Sequence, residues 1–160
     1  MHAEARLMAL GLSLPAPLAV PLSIPLPFTW VRVHGRRAFI SGHSPVALDG
    51  SLYTPRGKVG QELSEEEGYA AAKSAGLALL GSLKRTLGDL DRVTAWLRVF
   101  GMVNSAPGFK YQPLVINGFS NLILEVYGPE RGRHARSAVG MAELPLGIPV
   151  EIEAEVEIDG

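Results

Sequence analysis

Apolar residues recur along this chain with two different periods, and the switches between them mark out its elements. From Ser64 to Leu87 the period is helical, with Ala72, Ala75, Ala78 and Leu79, Leu83 and Leu87 returning every three or four residues on one face. Ser64-Glu65-Glu66-Glu67 opens this stretch as a capping box: the serine oxygen takes a free backbone N–H and the third glutamate reaches back to the cap. Gly88-Asp89 closes it after about six turns. A second stripe, Val115, Phe119, Leu122, Ile123 and Val126, predicts a helix over roughly Leu114 to Tyr127.

Elsewhere the period is two, that of strands. Trp30 to Val33 and Arg37 to Ser41 flank His34-Gly35-Arg36 and read as a hairpin, while Ala47 to Gly60 is rich in turn formers and reads as a surface loop. Val93 to Val103 reads as a long strand with Val93, Ala95, Leu97, Val99 and Val103 on one face and Trp96, Phe100 and Met102 on the other. Ala135 to Ala142 and Val150 to Ile158, joined by Leu144-Pro145-Leu146-Gly147, complete the chain. The order is β-β-α-β-α-β-β, an α+β fold in which two helices cover one face of a sheet. Trp96, Phe100 and Met102 project from the other face, so a second copy of the chain is expected to cover it.

Composition narrows the picture. A length of 160 residues, 47% hydrophobic and 19% charged, suits one globular domain over residues 1–160. Residues 1–27 read as a proline-rich N-terminal arm: an apolar stretch from Leu7 to Leu14 is broken by prolines at 15, 17, 21, 25 and 27, and neither a signal peptide nor a membrane span is expected. With a formal net charge of -1, no basic field draws nucleic acid. The absence of cysteine removes disulfides, thiolate nucleophiles and thiolate metal sites. The four histidines, His2, His34, His43 and His134, are scattered, so no metal site is expected from them.

What chemistry remains centres on an arginine inside a strand. Alternation places Arg136 on one face with Ala138, Gly140 and Ala142, whose small side chains leave room beside a guanidinium. A guanidinium grips a carboxylate through two parallel charge-assisted hydrogen bonds; the alternative is an ion pair with a glutamate across the sheet. The last strand turns Glu151, Glu153, Glu155 and Glu157 to one side. That pattern suits a solvated face for the last two, while Glu151 and Glu153, with Arg136 expected on the neighbouring strand, suit a site that activates water. Ser41-Gly42-His43 ends a strand with a hydroxyl, a flexible backbone and an imidazole, a pocket wall or merely a strand end. Asn117, polar among Val115, Ile116 and Phe119, faces a ligand or caps a loop.

In order and spacing, Phe39-Ile40-Ser41-Gly42-His43, Gly57-Lys58-Val59-Gly60, Leu87-Gly88-Asp89-Leu90, Val115-Ile116-Asn117-Gly118 and Ala135-Arg136-Ser137-Ala138-Val139 with Val150-Glu151-Ile152-Glu153 resemble the reactive-intermediate deaminase (Rid, YjgF-like) family from about Leu10 to Ile158. The resemblance implies a chorismate-mutase-like homotrimer, cytoplasmic, with ligand clefts between subunits and no cofactor or metal. It implies hydrolysis of 2-imino acids and enamines such as 2-aminoacrylate to 2-keto acids and ammonia. Residue by residue, Arg136 matches the family's carboxylate-binding arginine and Glu151 the acid that positions water. Ser41 and Asn117 match pocket residues, and backbone around Ala138 completes the site. Phe28 stands where many members have tyrosine and His43 where glutamine is common, and extra residues near Lys110 to Leu114 resemble a longer subgroup. A non-catalytic module binding a 2-keto acid in the same cleft is the alternative.

Overall fold

In the computed structural model, which describes residues 2–19 and 25–160, the elements run in the expected order with one addition at the start. They are α1 (Ala3–Ala9), β1 (Val31–His34), β2 (Arg37–His43), α2 (Glu65–Leu87), β3 (Val93–Asn104), α3 (Gln112–Gly132), β4 (Ala135–Met141) and β5 (Val150–Ile158). The five strands form one sheet in the order β1-β2-β5-β3-β4, antiparallel except where β3 and β4 run parallel around α3. α2 and α3 pack on each other and on the same face of the sheet, as the helical stripes require.

The local signals read in the sequence hold. Ser64 Oγ accepts from the Glu67 N–H at 3.1 Å while Glu67 accepts from the Ser64 N–H at 2.7 Å. Gly88 ends α2 at φ 81°, a left-handed conformation that favours glycine. Gly35, at φ 59°, turns the β1–β2 hairpin. α3 runs past its expected end at Tyr127 to Gly132, through a break at Gly128 followed by Pro129.

Three expectations change. The segment read as an extended arm begins with a helix, α1, because Asp91 accepts the Ala3 N–H at 3.1 Å and Ala3 and Leu7 are buried; tertiary contacts supply what seven residues lack alone. Beyond it the arm lies against the 47–50 loop, with Ala16 and Ala19 donating to Leu48 and Gly50; residues 20–24 fall outside the described ones. Second, Trp96 is buried beneath the helices against Phe119 and Tyr127, not on the open face with Phe100 and Met102. Register shifts between Val93 and Ala95 and between Trp96 and Arg98 insert extra residues, and each reverses the alternation. Third, β4 is not the neighbour of β5: β3 lies between them, and β4 forms a free edge.

The open face of the sheet therefore carries Glu151, Glu153, Glu155 and Glu157 beside Arg98, Phe100, Met102 and Val139. Phe39 and Val139 on it are exposed at 42% and 37%. At one end Met102 joins Leu144 and Ile148 in a small second cluster.

Candidate functional site

The arginine half of the site lies between β4 and α3. Arg136 aligns with the buried Val99, which turns its side chain toward the helix layer, and the guanidinium meets one face of α3. Nη1 donates to Asn117 Oδ1 at 2.9 Å and to Ser120 Oγ at 3.1 Å, and Nη2 donates to the Pro113 carbonyl at 3.3 Å. No carboxylate lies within ion-pairing distance of Arg136 among the described residues, so the cross-sheet ion pair does not form. Of five guanidinium N–H groups, the Nε–H and one on Nη2 have no acceptor among the described residues. Two donors and one uncompensated charge suit a planar anion.

The small residues beyond Arg136 have a different reason from the one expected. A Cβ on Gly140 would lie 2.8 Å from Ser105 Oγ and 2.9 Å from Gln112 Nε2, so this glycine admits the loop and the start of α3 rather than leaving a void. Ala138 is partly buried against the main core. The open space lies on the other side of Arg136, in a hollow lined by Ser120, Leu124, Arg133 and His134.

The carboxylate half lies at the end of β2. Between Ile40 and His43 the β2–β5 register shifts by one residue, a bulge centred on Ser41-Gly42. Gly42 lies so close to Glu151 that a Cβ there would come within 2.6 Å of Oε2. Glu151 is half-buried, and neither a hydrogen bond nor an ion pair reaches its carboxylate among the described residues. Burial, and then the charge of Glu153, raise its pKa above the ordinary glutamate value. A carboxylate placed this way accepts a proton more readily than a solvated one. Ser41 Oγ donates to the Thr29 carbonyl at 2.8 Å and its N–H to the Trp30 carbonyl, tying the bulge to the chain before β1.

The same bulge removes His43 from this half. Simple alternation puts His43 beside Ser41; the extra residue turns it into the core, 6% exposed. The Ser41 carbonyl can only accept, so Nδ1, 2.6 Å away, carries the proton, and Nε2 takes the Ser82 hydroxyl at 2.8 Å. Burial pushes its pKa down to about 4, with Arg85 adding to the effect. Trp30 covers His43 with ring centres 5.2 Å apart, and Phe28, 48% exposed, meets Trp30 edge-on at 5.2 Å.

Within one chain, then, Arg136, Asn117 and Ala138 form one group and Ser41, Gly42 and Glu151 another. Arg136 aligns with Val99 and Glu151 with Met102, three residues along β3, so the two side chains leave opposite faces of the sheet. Ser120, unremarked in the sequence, and His134, noted there only as one of four scattered histidines, belong to the first group: His134 Nε2 takes the Ser120 hydroxyl at 2.9 Å. Helical spacing carried that signal, since Ser120 lies one turn from Asn117, and His134 is two residues from Arg136 in a strand.

Comparison with known proteins places the chain. The family described as "YjgF/chorismate mutase-like, putative endoribonuclease" matches residues 4–150. Protein TCP17 of Trypanosoma cruzi is 41% identical over 155 residues, 97% of this chain and 93% of that one. The solved structure of protein Atu1372 from Agrobacterium tumefaciens, of unknown function, superimposes with a TM-score of 0.87 at 38% identity, covering 98% of this chain and 92% of that one. An endoribonuclease candidate from Shewanella oneidensis gives 0.89 at 30% identity, over 99% and 100%.

Proposed function

The chain belongs to the YjgF/Rid family, and from that premise we propose that it hydrolyses 2-imino acids and their enamine forms, such as 2-aminoacrylate, to 2-keto acids and ammonia in the cytoplasm. The observation that carries this reading is the division of the site. Among the described residues Arg136, on the edge strand β4, has no carboxylate partner, and the half-buried Glu151 carboxylate on the open face of the same sheet has neither a hydrogen bond nor an ion pair. Neither half makes a site alone. A second copy that brings its open face against β4 of the first joins them, and a closed ring of three such contacts is a homotrimer with one cleft at each junction.

In that cleft Arg136 holds the substrate carboxylate through its remaining donors. A water beside Glu151 attacks the C=N carbon: its oxygen bonds to carbon, its proton passes to Glu151, and the C=N π pair moves to nitrogen. Glu151 returns that proton to the nitrogen, giving a carbinolamine; it then carries the remaining hydroxyl proton to the amine, the oxygen lone pair forms C=O as the C–N bond breaks, and ammonia leaves a 2-keto acid. The raised pKa of Glu151 makes it a better proton acceptor than a solvated carboxylate, as a group that takes and returns a proton requires. The backbone at Ser41-Gly42 and the side chains of Asn117 and Phe28 shape the cleft around this exchange, while His43 supports it from the core. The formal charge of -1 and the row of glutamates on the open face oppose a polyanionic RNA substrate.

The test is ammonia release from enzymatically generated 2-iminopropionate. Wild type should accelerate it and Arg136→Ala should lose the acceleration. Glu151→Ala should still bind a 2-keto acid but turn over about 100- to 10,000-fold more slowly, the usual worth of a general base. Tight 2-keto acid binding without turnover by wild type would establish a binding module instead.

A further inference from the structure

We propose that Ser120 and His134 are positioning residues for Arg136, fixing the guanidinium so that its remaining donors face the ligand; the inference rests on the reading of Arg136 as the carboxylate receptor. The direction of each hydrogen bond follows from the groups involved. His134 Nδ1 lies 2.7 Å from the Gly132 carbonyl, which only accepts, so Nδ1 carries the hydrogen. The imidazole is kept neutral by burial, which lowers its pKa, with the charge of Arg136 acting the same way; its Nε2 is then a lone pair. The Ser120 hydroxyl at 2.9 Å donates to that lone pair, which leaves its own lone pairs to accept from Arg136 Nη1 at 3.1 Å. The chain from Gly132 to Arg136 thus has one self-consistent arrangement of protons.

Its mechanical consequence is specific. Asn117 and Ser120 lie one helical turn apart on α3 and take both Nη1 hydrogens, while the Pro113 carbonyl takes one on Nη2. Three acceptors on a rigid helix prevent rotation about the Nε–Cζ bond and fix the guanidinium plane. Ser120 is 9% exposed and His134 is packed edge-on against Phe119 at 6.3 Å, so the support itself has little freedom. A carboxylate arriving from the hollow beside Arg136 meets donors already aimed, and the ordering cost is removed from binding.

Two measurements test this separately from the proposed chemistry. In nitrogen NMR the wild-type Arg136 should show separate Nη1 and Nη2 signals, the mark of blocked rotation, and in Ser120→Ala they should merge. With turnover as the readout, Ser120→Ala should raise KM roughly tenfold, the loss expected for one hydrogen bond to a charged group, and change kcat little. His134→Gln, whose amide oxygen reaches the Nε2 position, should stay near wild type, and His134→Phe, which keeps the ring but not the acceptor, should move toward Ser120→Ala. Separate Nη signals and an unchanged KM in Ser120→Ala would overturn the proposal. Merged signals in that variant, together with a wild type that neither binds 2-keto acids nor releases ammonia, would keep the positioning role and remove the deaminase reading.

Discussion

At the scale of single residues, the chemistry of this chain is decided by where one extra residue sits in a strand. Ser41, Gly42 and His43 look like one wall in the sequence; the bulge at Ser41-Gly42 sends the serine and the imidazole to different places. The bare backbone of Gly42 is left against Glu151, while His43 is committed to the core with both nitrogens satisfied. That commitment has a pH signature. The folded-state pKa of His43 is depressed from 6.5 to about 4, so as pH falls from about 6.5 the unfolded chain takes up a proton that the folded chain refuses. Stability is thus lost between about pH 6.5 and 4, on the order of 3 kcal/mol from this residue. Melting temperatures of wild type and His43→Gln between pH 7.5 and about 5 should converge toward acid if this holds; parallel curves would contradict it. Glu151, with its raised pKa, acts in the opposite sense, since the folded state takes its proton more readily.

At the scale of elements, the sequence was most informative where a signal is local and least where tertiary contact decides. The capping box at Ser64, the glycine stop at Gly88 and the stripe from Val115 to Val126 each depend on neighbours within a turn or two, and each element formed where it was read. The face of Trp96 was not legible, because alternation carries no mark of a bulge and β3 holds two register shifts. Nor was α1, a seven-residue helix held by Asp91, 88 residues away. For the candidate site, type and spacing single out Arg136, Asn117 and Glu151 as candidates, but their division between two faces was not legible, since strand order is set by packing. The contact of α2 with α3 makes a prediction at this scale. A Cβ on Gly118 would lie 2.1 Å from the Tyr69 carbonyl oxygen, backbone against backbone. Gly118→Ala should force the helices apart and cost about 1–3 kcal/mol or more in urea unfolding; an unchanged midpoint would show that the helices are not held this close.

At the scale of the whole molecule, one sheet has one covered face. The helices bury the other side of β5, and what remains is a mixed surface of Phe39, Phe100, Val139 and the glutamate row. Such a face, next to a free edge strand, is a liability for a lone chain and an interface for a symmetric assembly. Light scattering should give three times the 17.1 kDa of the chain, and Phe100→Asp, which places a charge among the glutamates of that face, should give smaller species and no imine hydrolysis. A fully trimeric Phe100→Asp would move the interface elsewhere. In the proposed trimer a working site joins Arg136 of one copy to Glu151 of another. This pairing is tested most directly by ammonia release from Arg136→Ala and Glu151→Ala, each alone and after the two are unfolded and reassembled together at equal amounts. Each alone should be inactive, and the mixture should regain up to about a quarter of wild-type activity, the chance under random mixing that a junction receives both intact halves. An inactive mixture beside an active wild type would place both halves in one chain and contradict the account.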